Sequence, residues 1–203
     1  MAKITGITQT TKNPFLNMYE LDRETKIGQK GTYYVASRAK DQEGLKLKTR
    51  KNTPDGVIIY SLYGETRDRV VLVRQYRYSI DDYIYEFPAG LVEPGEDFRE
   101  AAVREMKEET GLTFAPLPVD AAYEKPAFTT IGMTDESCAT VYGTAEGKIS
   151  GEFMEDSEEI EVVLADRQEV KRILKEENVA IMCAYMLMHF LHDENPFDFL
   201  KEI

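Results

Sequence analysis

The sequence predicts an α+β fold built in layers, with a small β-rich arm ahead of the main domain. Three observations carry this. Strong strand patterns come first, over residues 56–63 (GVIIYSLY) and 69–76 (RVVLVRQY). One amphipathic helix pattern follows between Asp97 and Gly111, and more strand patterns come after it, at 136–145 and 159–164. Two helical patterns then close the chain beyond Asp166. Strands, a helix, more strands and finally helices are the order of a layered α+β domain.

Taken in order, residues 1–54 form the arm. Phe15-Leu16 and Met18 to Leu21 suggest a short strand, 27–31 a turn, and 32–38 (TYYVASR) a second strand rich in β-formers. Glu43-Gly44 is another turn. So few apolar residues look too few to bury a core of their own, so the arm is expected to dock on the rest or on a second subunit. The main domain takes residues 55–203. The polar stretch 64–68 joins its first two strands as a hairpin, and 83–87 alternates into Pro88-Ala89-Gly90. Gly90 and Pro94-Gly95 mark a loop. Asp97 with Glu100 three residues on is an N-terminal capping box, Phe98, Ala102 and Met106 form one apolar face, and Gly111 closes the helix as a left-handed cap. Prolines 116, 118 and 126 break the next segment, and 146–158 is a Gly- and acid-rich loop. Asp166 with Glu169 caps a helix carrying Val170, Ile173 and Leu174. Asn178 is expected to cap the last helix, whose stripe is Val179, Met182, Cys183, Met186, Leu187 and Phe190.

Composition bounds the function. The chain has 203 residues, 42% hydrophobic and 31% charged, as a globular protein does. Its net charge of −12 comes with no basic tract, which argues against a nucleic-acid surface. Cys138 and Cys183 form no CxxC pair, so neither a disulfide framework nor a zinc site is expected. The N-terminus lacks a signal-peptide core and no apolar run reaches membrane length, so a cytoplasmic protein without a membrane role is expected. His189 and His192 stand alone on the last helix and suggest no site.

The charges on the first helix point to chemistry. Glu105 and Glu109 are four apart, with Glu108 beside them. Like charges at that spacing cost a helix roughly 0.2–0.5 kcal/mol per pair, and anions near its C-terminal end oppose the dipole. Arg104 can pair with Glu100 and Glu108, whereas no basic residue stands three or four places from Glu105 or Glu109 on the helix. A hard divalent cation would relieve them, since Mg²⁺ takes carboxylate oxygens and keeps waters that a phosphate can replace. The plain alternative is a solvated acidic face.

The order of residues adds to this. Gly90, Glu96 six later, then 104–112 (REMKEETGL) resembles the signature of the Nudix hydrolases at all nine defined positions. The resemblance implies a Nudix α/β/α sandwich over the main domain, cleaving a nucleoside diphosphate linked to another moiety, with Mg²⁺ or Mn²⁺. It implies Glu105 and Glu109 as the main metal ligands, Glu108 on a second metal, and the backbone carbonyl of Ala89 joining them. Glu96 would be a supporting or outer ligand, and Arg104 would hold the glutamates in place. The motifs 74–77 (RQYR) and 86–90 (EFPAG), with Pro126 fifteen residues past Gly111, are similar to the ADP-ribose and nucleoside-diphosphate-sugar branch. That branch implies Arg77 and Glu86 as substrate contacts, with Arg74 of the same motif a third candidate, and a homodimer through the arm. Its catalytic base often precedes a late strand, which here points to Glu158 and then Asp156. Lys125-Pro126-Ala127 departs from the Ser-Pro-Gly of that branch, which leaves the sugar open. With no Trp, stacking on a base would fall to Tyr33, Tyr34 or Phe15. The expected reaction is ADP-ribose plus water to AMP and ribose 5-phosphate. GDP-mannose or another sugar nucleotide is the alternative substrate, and a non-cleaving nucleotide sensor the alternative class.

Overall fold

The computed structural model describes residues 1–154 and 159–201. It divides into two compact units, Met1–Asp55 with Pro126–Cys138, and Gly56–Lys125 with Ala139–Ile203. The boundary near residue 55 is therefore only part of the division, because 126–138 belongs with the arm. That association is non-local, and no composition shift marks it.

In unit 1, β1 (Lys3–Gln9), β2 (Asn17–Glu24) and β3 (Lys30–Ser37) make an antiparallel sheet in that order. Tyr19 faces Val35 across β2 and β3, and both join Leu21 and Leu45 in a small buried cluster. The arm thus has a core of its own, contrary to the expectation from its size. Leu45 enters it because a short helix, α1 (Lys46–Thr49), follows directly. The Lys46 ammonium binds Asp55 at 2.6 Å and also reaches Ser137. Asp55 N–H donates to the Ser137 carbonyl at 2.8 Å.

Unit 2 is a sheet between two helical layers. Its strands are β4 (Gly56–Tyr63), β5 (Arg69–Arg77), β6 (Asp82–Glu86), β7 (Ala89–Leu91), β8 (Thr113–Pro116), the later part of β10 (Ser137–Glu146) and β11 (Ile160–Ala165). The path runs β11-β5-β4-β10-β8, with β6 on β5 and β7 on β4. The two-residue β9 (Ala127–Phe128), in unit 1, pairs the first residues of β10. Alternation sorts the side chains. Val57, Ile59 and Val71 meet Ala101, Ala102 and Met106 of α2 (Phe98–Thr110). Tyr60, Leu62, Val70 and Leu72 meet Val170 and Ile173 of α4 (Arg167–Glu176) and Cys183, Leu187 and Phe190 of α5 (Ile181–His192). This is the expected α/β/α sandwich. No helix among the described residues is long and apolar enough to cross a membrane.

Several local expectations change. Gly90 lies in β7 rather than in a loop, because β4 supplies a ladder partner that the local sequence cannot show. Residues 113–116 form β8 on β10, with Pro116 as its last residue and Pro118 beyond it, and Ala121–Glu124 form a short helix, α3. Asn178 does not cap α5. Its carbonyl accepts from Tyr85 N–H at 2.8 Å and its amide donates to Asp82 at 3.1 Å, so it secures the edge of β6. The helix begins after Ala180 with no side-chain cap.

Candidate active site

The site grows from the two ends of α2. At the start, the Asp97 carboxylate accepts from Arg99 N–H at 2.9 Å and satisfies one of the free amides of the first turn. At the end, Gly111 takes φ 74°, and its N–H donates to the Lys107 carbonyl. A side chain there would also start 2.7 Å from Ser150, so both conformation and space require glycine.

Between these ends, the helix presents its acids to β7. A β-carbon on Gly90 would lie 1.9 Å from the Glu105 carboxyl carbon, so that carboxylate rests directly on bare backbone. One turn on, Glu109 is buried at 2% exposure and accepts from Ala89 N–H at 3.1 Å. Arg104 gathers the rest. Its Nη1 donates to Glu105 at 2.8 Å and to Glu108 at 2.9 Å, while Nε and Nη2 form a fork on Glu96 at 2.9 and 3.0 Å. Nη2 also reaches the Leu91 carbonyl at 3.0 Å. Arg104 therefore pairs with Glu96 and its neighbour Glu105 rather than with Glu100, because the loop before the helix folds back over it. The Arg104 guanidinium, helped by the Glu93 amide, holds the Glu96 carboxyl below its usual range. A cleft of about 420 Å³ opens here, lined by Ala89, Gly90, Glu93, Arg104, Glu105 and Glu108.

The donor chemistry fits a hard divalent cation: Glu105 and Glu108 line the cleft, and the buried Glu109 follows Glu105 by one turn of the same helix. Among the described residues, no three acidic, His or Cys side chains are already grouped as a cation cage. The Arg104 guanidinium provides counter-charge to Glu105 and Glu108.

The substrate candidates separate by face. Arg77 and Glu86 bind each other, Nε to Oε2 at 2.7 Å, and Glu86 sits three residues ahead of Ala89. Arg77 is two steps from Gln75 and four from Val73, on the strand face that Val71 turns to α2. Arg74 falls on the opposite face, which Leu72 turns to α4 and α5. Its guanidinium lies 4.0 Å from the Tyr83 ring centroid and 3.6 Å from Glu161. The period of a strand thus takes Arg74 away from Arg77 and Glu86. Glu158 and Asp156 lie outside the described residues. The segments that flank them are tied down. Ser150 N–H donates to the Thr110 carbonyl at 3.0 Å, and Lys107 lies 4.8 Å above the Phe153 ring. On the other side, Tyr76 N–H donates to the Glu159 carbonyl at 3.1 Å, and the Tyr83 hydroxyl donates to the Glu159 carboxylate.

Sequence reasoning missed Glu124. It is 2% exposed and takes a two-nitrogen contact from Arg99 in the first turn of α2. No local pattern links residues 25 apart. Its only signal was an acid at the end of a short run capped by Asp120.

The NUDIX domain family model matches residues 52–184. The chain is 31% identical to "Putative nudix hydrolase 2" of Caenorhabditis elegans, over 71% of this chain and 63% of that protein. It is 39% identical to "ADP-sugar pyrophosphatase" of Mus musculus, over 41% and 40%. It is 32% identical to "ADP-ribose pyrophosphatase" of Saccharomyces cerevisiae, over 46% and 41%. The chain spans less than two thirds of the length of these curated relatives. Among solved structures, "Crystal structure of ADP compounds hydrolase" superposes with a TM-score of 0.62, covering 86% of this chain and 83% of that one, at 19% identity. That likeness concerns the fold.

Proposed function

This chain belongs to the Nudix family, and from that premise we propose that it hydrolyses the pyrophosphate bond of ADP-ribose, or of a related nucleoside diphosphate sugar, with Mg²⁺. The observation that carries the proposal is the placing of Glu105 and Glu108 on one cleft, with Glu105 seated on Gly90, and of the buried Glu109 one helical turn on, against the Ala89 amide. Glu105, Glu108 and Glu109 would hold the metal, with the Ala89 carbonyl and Glu96 as further candidates. When bound, the ion neutralises charge on the phosphate oxygens and lowers the pKa of a bound water. Arg104 keeps the acids oriented by taking four of their oxygens in one planar group. Arg77 and Glu86, on the α2 side of β5 and β6, would receive the substrate beyond its phosphates. In the reaction, water oxygen bonds to phosphorus, the bridging P–O bond breaks, and the water proton passes to a base. Glu158, then Asp156, are the proposed bases, a choice that rests on the family resemblance.

Relatives named for ADP-ribose and ADP-sugar favour an adenosine diphosphate substrate. The test is purified protein with Mg²⁺ against ADP-ribose, GDP-mannose, UDP-glucose, NADH and diadenosine polyphosphates, with products identified. AMP and ribose 5-phosphate from ADP-ribose are expected, and Glu109→Gln should reduce turnover to background. Turnover in that variant, or none in the native chain, would refute the proposal. We also propose a homodimer. Phe15, Met18, Tyr34 and Met133 of unit 1 are exposed apolar side chains that a second copy could cover. Light scattering at the mass of one chain would exclude it.

A further inference from the structure

The charge of the chain is unevenly divided. Unit 1 carries eleven Lys and Arg against eight Asp and Glu, while the rest of the chain carries fourteen against twenty-nine. Within unit 1, cations gather around one cleft of about 760 Å³ between the β1 end of the sheet and α1. Lys3, Arg23, Lys48 and Arg50 line it, with Glu24 as its one carboxylate and Tyr33 as its aromatic wall.

The ion pairs do not use up these charges. Lys3 meets Glu24 at 3.4 Å, and Lys48 only approaches Glu43 at 3.8 Å. Among the described residues, no carboxylate lies within ion-pair range of Arg23 or Arg50. Both arginines are nonetheless placed. Arg23 lies along Gly31, with its Nη2 3.4 Å from where a side chain on that glycine would begin. Arg50 ends α1 at φ 57°, a left-handed conformation that a residue with a side chain adopts at a cost. The Tyr33 hydroxyl is held by the Gly132 carbonyl at 2.5 Å, which fixes the ring.

Two placed guanidinium groups without carboxylates, in a concave site of this size, suit an anion. Phosphate oxygens match the guanidinium fork, and a fixed ring offers a flat face to a base or sugar. We infer that unit 1 holds a binding site for a phosphate-bearing small molecule of nucleotide size, built from none of the residues of the acidic cleft. The inference stands apart from the proposed hydrolysis and needs no metal.

The full chain in EDTA is titrated by calorimetry with inorganic pyrophosphate, AMP and ribose 5-phosphate. Saturable one-to-one binding of at least one of them is expected, weakening as salt is raised. Preference for AMP would identify recognition of a nucleoside, preference for ribose 5-phosphate recognition of a sugar, and equal affinities recognition of phosphate alone. Arg23→Gln combined with Arg50→Gln should weaken binding by at least about tenfold, since charge-assisted hydrogen bonds are lost. Glu109→Gln should bind like the native chain, which separates this site from the hydrolytic one. If the double variant melts early, Lys3→Gln with Lys48→Gln replaces it, with a severalfold loss expected. Three outcomes overturn the inference: no saturation at millimolar ligand, full binding by the folded arginine variant, or binding of a single-stranded oligonucleotide but of none of the small anions.

Discussion

Gly90 shows how much chemistry one missing methyl group can decide. Its place in β7 is conformationally ordinary, so the glycine is there for space, and the space is taken by the Glu105 carboxylate. Gly90→Ala must push that carboxylate or the strand aside. A displacement near 1 Å at a reacting centre can reduce the rate about 100-fold, so kcat/KM should fall by at least that much. The melting temperature should drop only modestly, as for an overpacked side chain that can still swing away. Native kinetics in Gly90→Ala would disprove the seating of Glu105 described above. Glu96 offers a test by pH. Its carboxyl is held low by Arg104, so its stabilising contribution is complete above the ordinary glutamate pKa near about 4.3 and is lost as pH falls through the lower folded value. Urea midpoints of the native chain and Glu96→Gln, both in EDTA, should therefore differ at pH 7 and converge toward pH 3. A gap that widens on acidification would reverse the sign.

Among the elements, α2 was legible in the sequence because its determinants are local. Asp97, the four-residue apolar spacing and Gly111 all act within one or two turns. The same holds for β4 and β5, whose apolar runs are long enough to need no partner for their detection. Elements that exist only through a distant partner were not legible. β7 needs β4, β8 needs β10, and Asn178 is used by Tyr85 rather than by the helix that follows it. The site divides in the same way. The three glutamates and Arg104 could be read from spacing, whereas the Arg77–Glu86 pair and the separation of Arg74 follow from strand pairing and face. The buried Glu124 belongs to the second class and predicts a stability effect. Arg99→Ala leaves that carboxylate without its guanidinium, at the point where α3 meets the first turn of α2. Removing one partner of a fully buried pair costs about 3–5 kcal/mol; with Arg99 partly in water, a loss of about 2 kcal/mol is expected. Denaturant unfolding should show it, and Arg99→Ala with Glu124→Gln should recover most of it. No recovery in the double variant would assign the loss to packing instead.

At the scale of the whole molecule, a chain of net charge −12 concentrates its acidity in unit 2, where the glutamate cleft lies. Self-repulsion of that kind makes bound cations stabilising. Mg²⁺ at a hundred times its dissociation constant adds about 2.7 kcal/mol to a state that binds it selectively. For a domain of this size the melting temperature should then rise by roughly 5–10 °C, and EDTA should reverse the shift. Glu109→Gln should lose most of it. An equal rise in that variant would place the ion elsewhere. The two cysteines have a use in all these experiments. Cys183 is packed at 2% exposure in the cluster of unit 2, while Cys138 sits at the start of β10 in unit 1, its ionisation pushed up to about 11 chiefly by burial. Cys183 is shielded until its surroundings open, whereas the half-buried Cys138 is slowed by its raised ionisation, because the attacking species is the thiolate. Each compact body thus contains a single thiol, and mass spectrometry of the two tagged peptides can time the opening of unit 2 at Cys183, with the half-buried Cys138 as the internal reference for labelling.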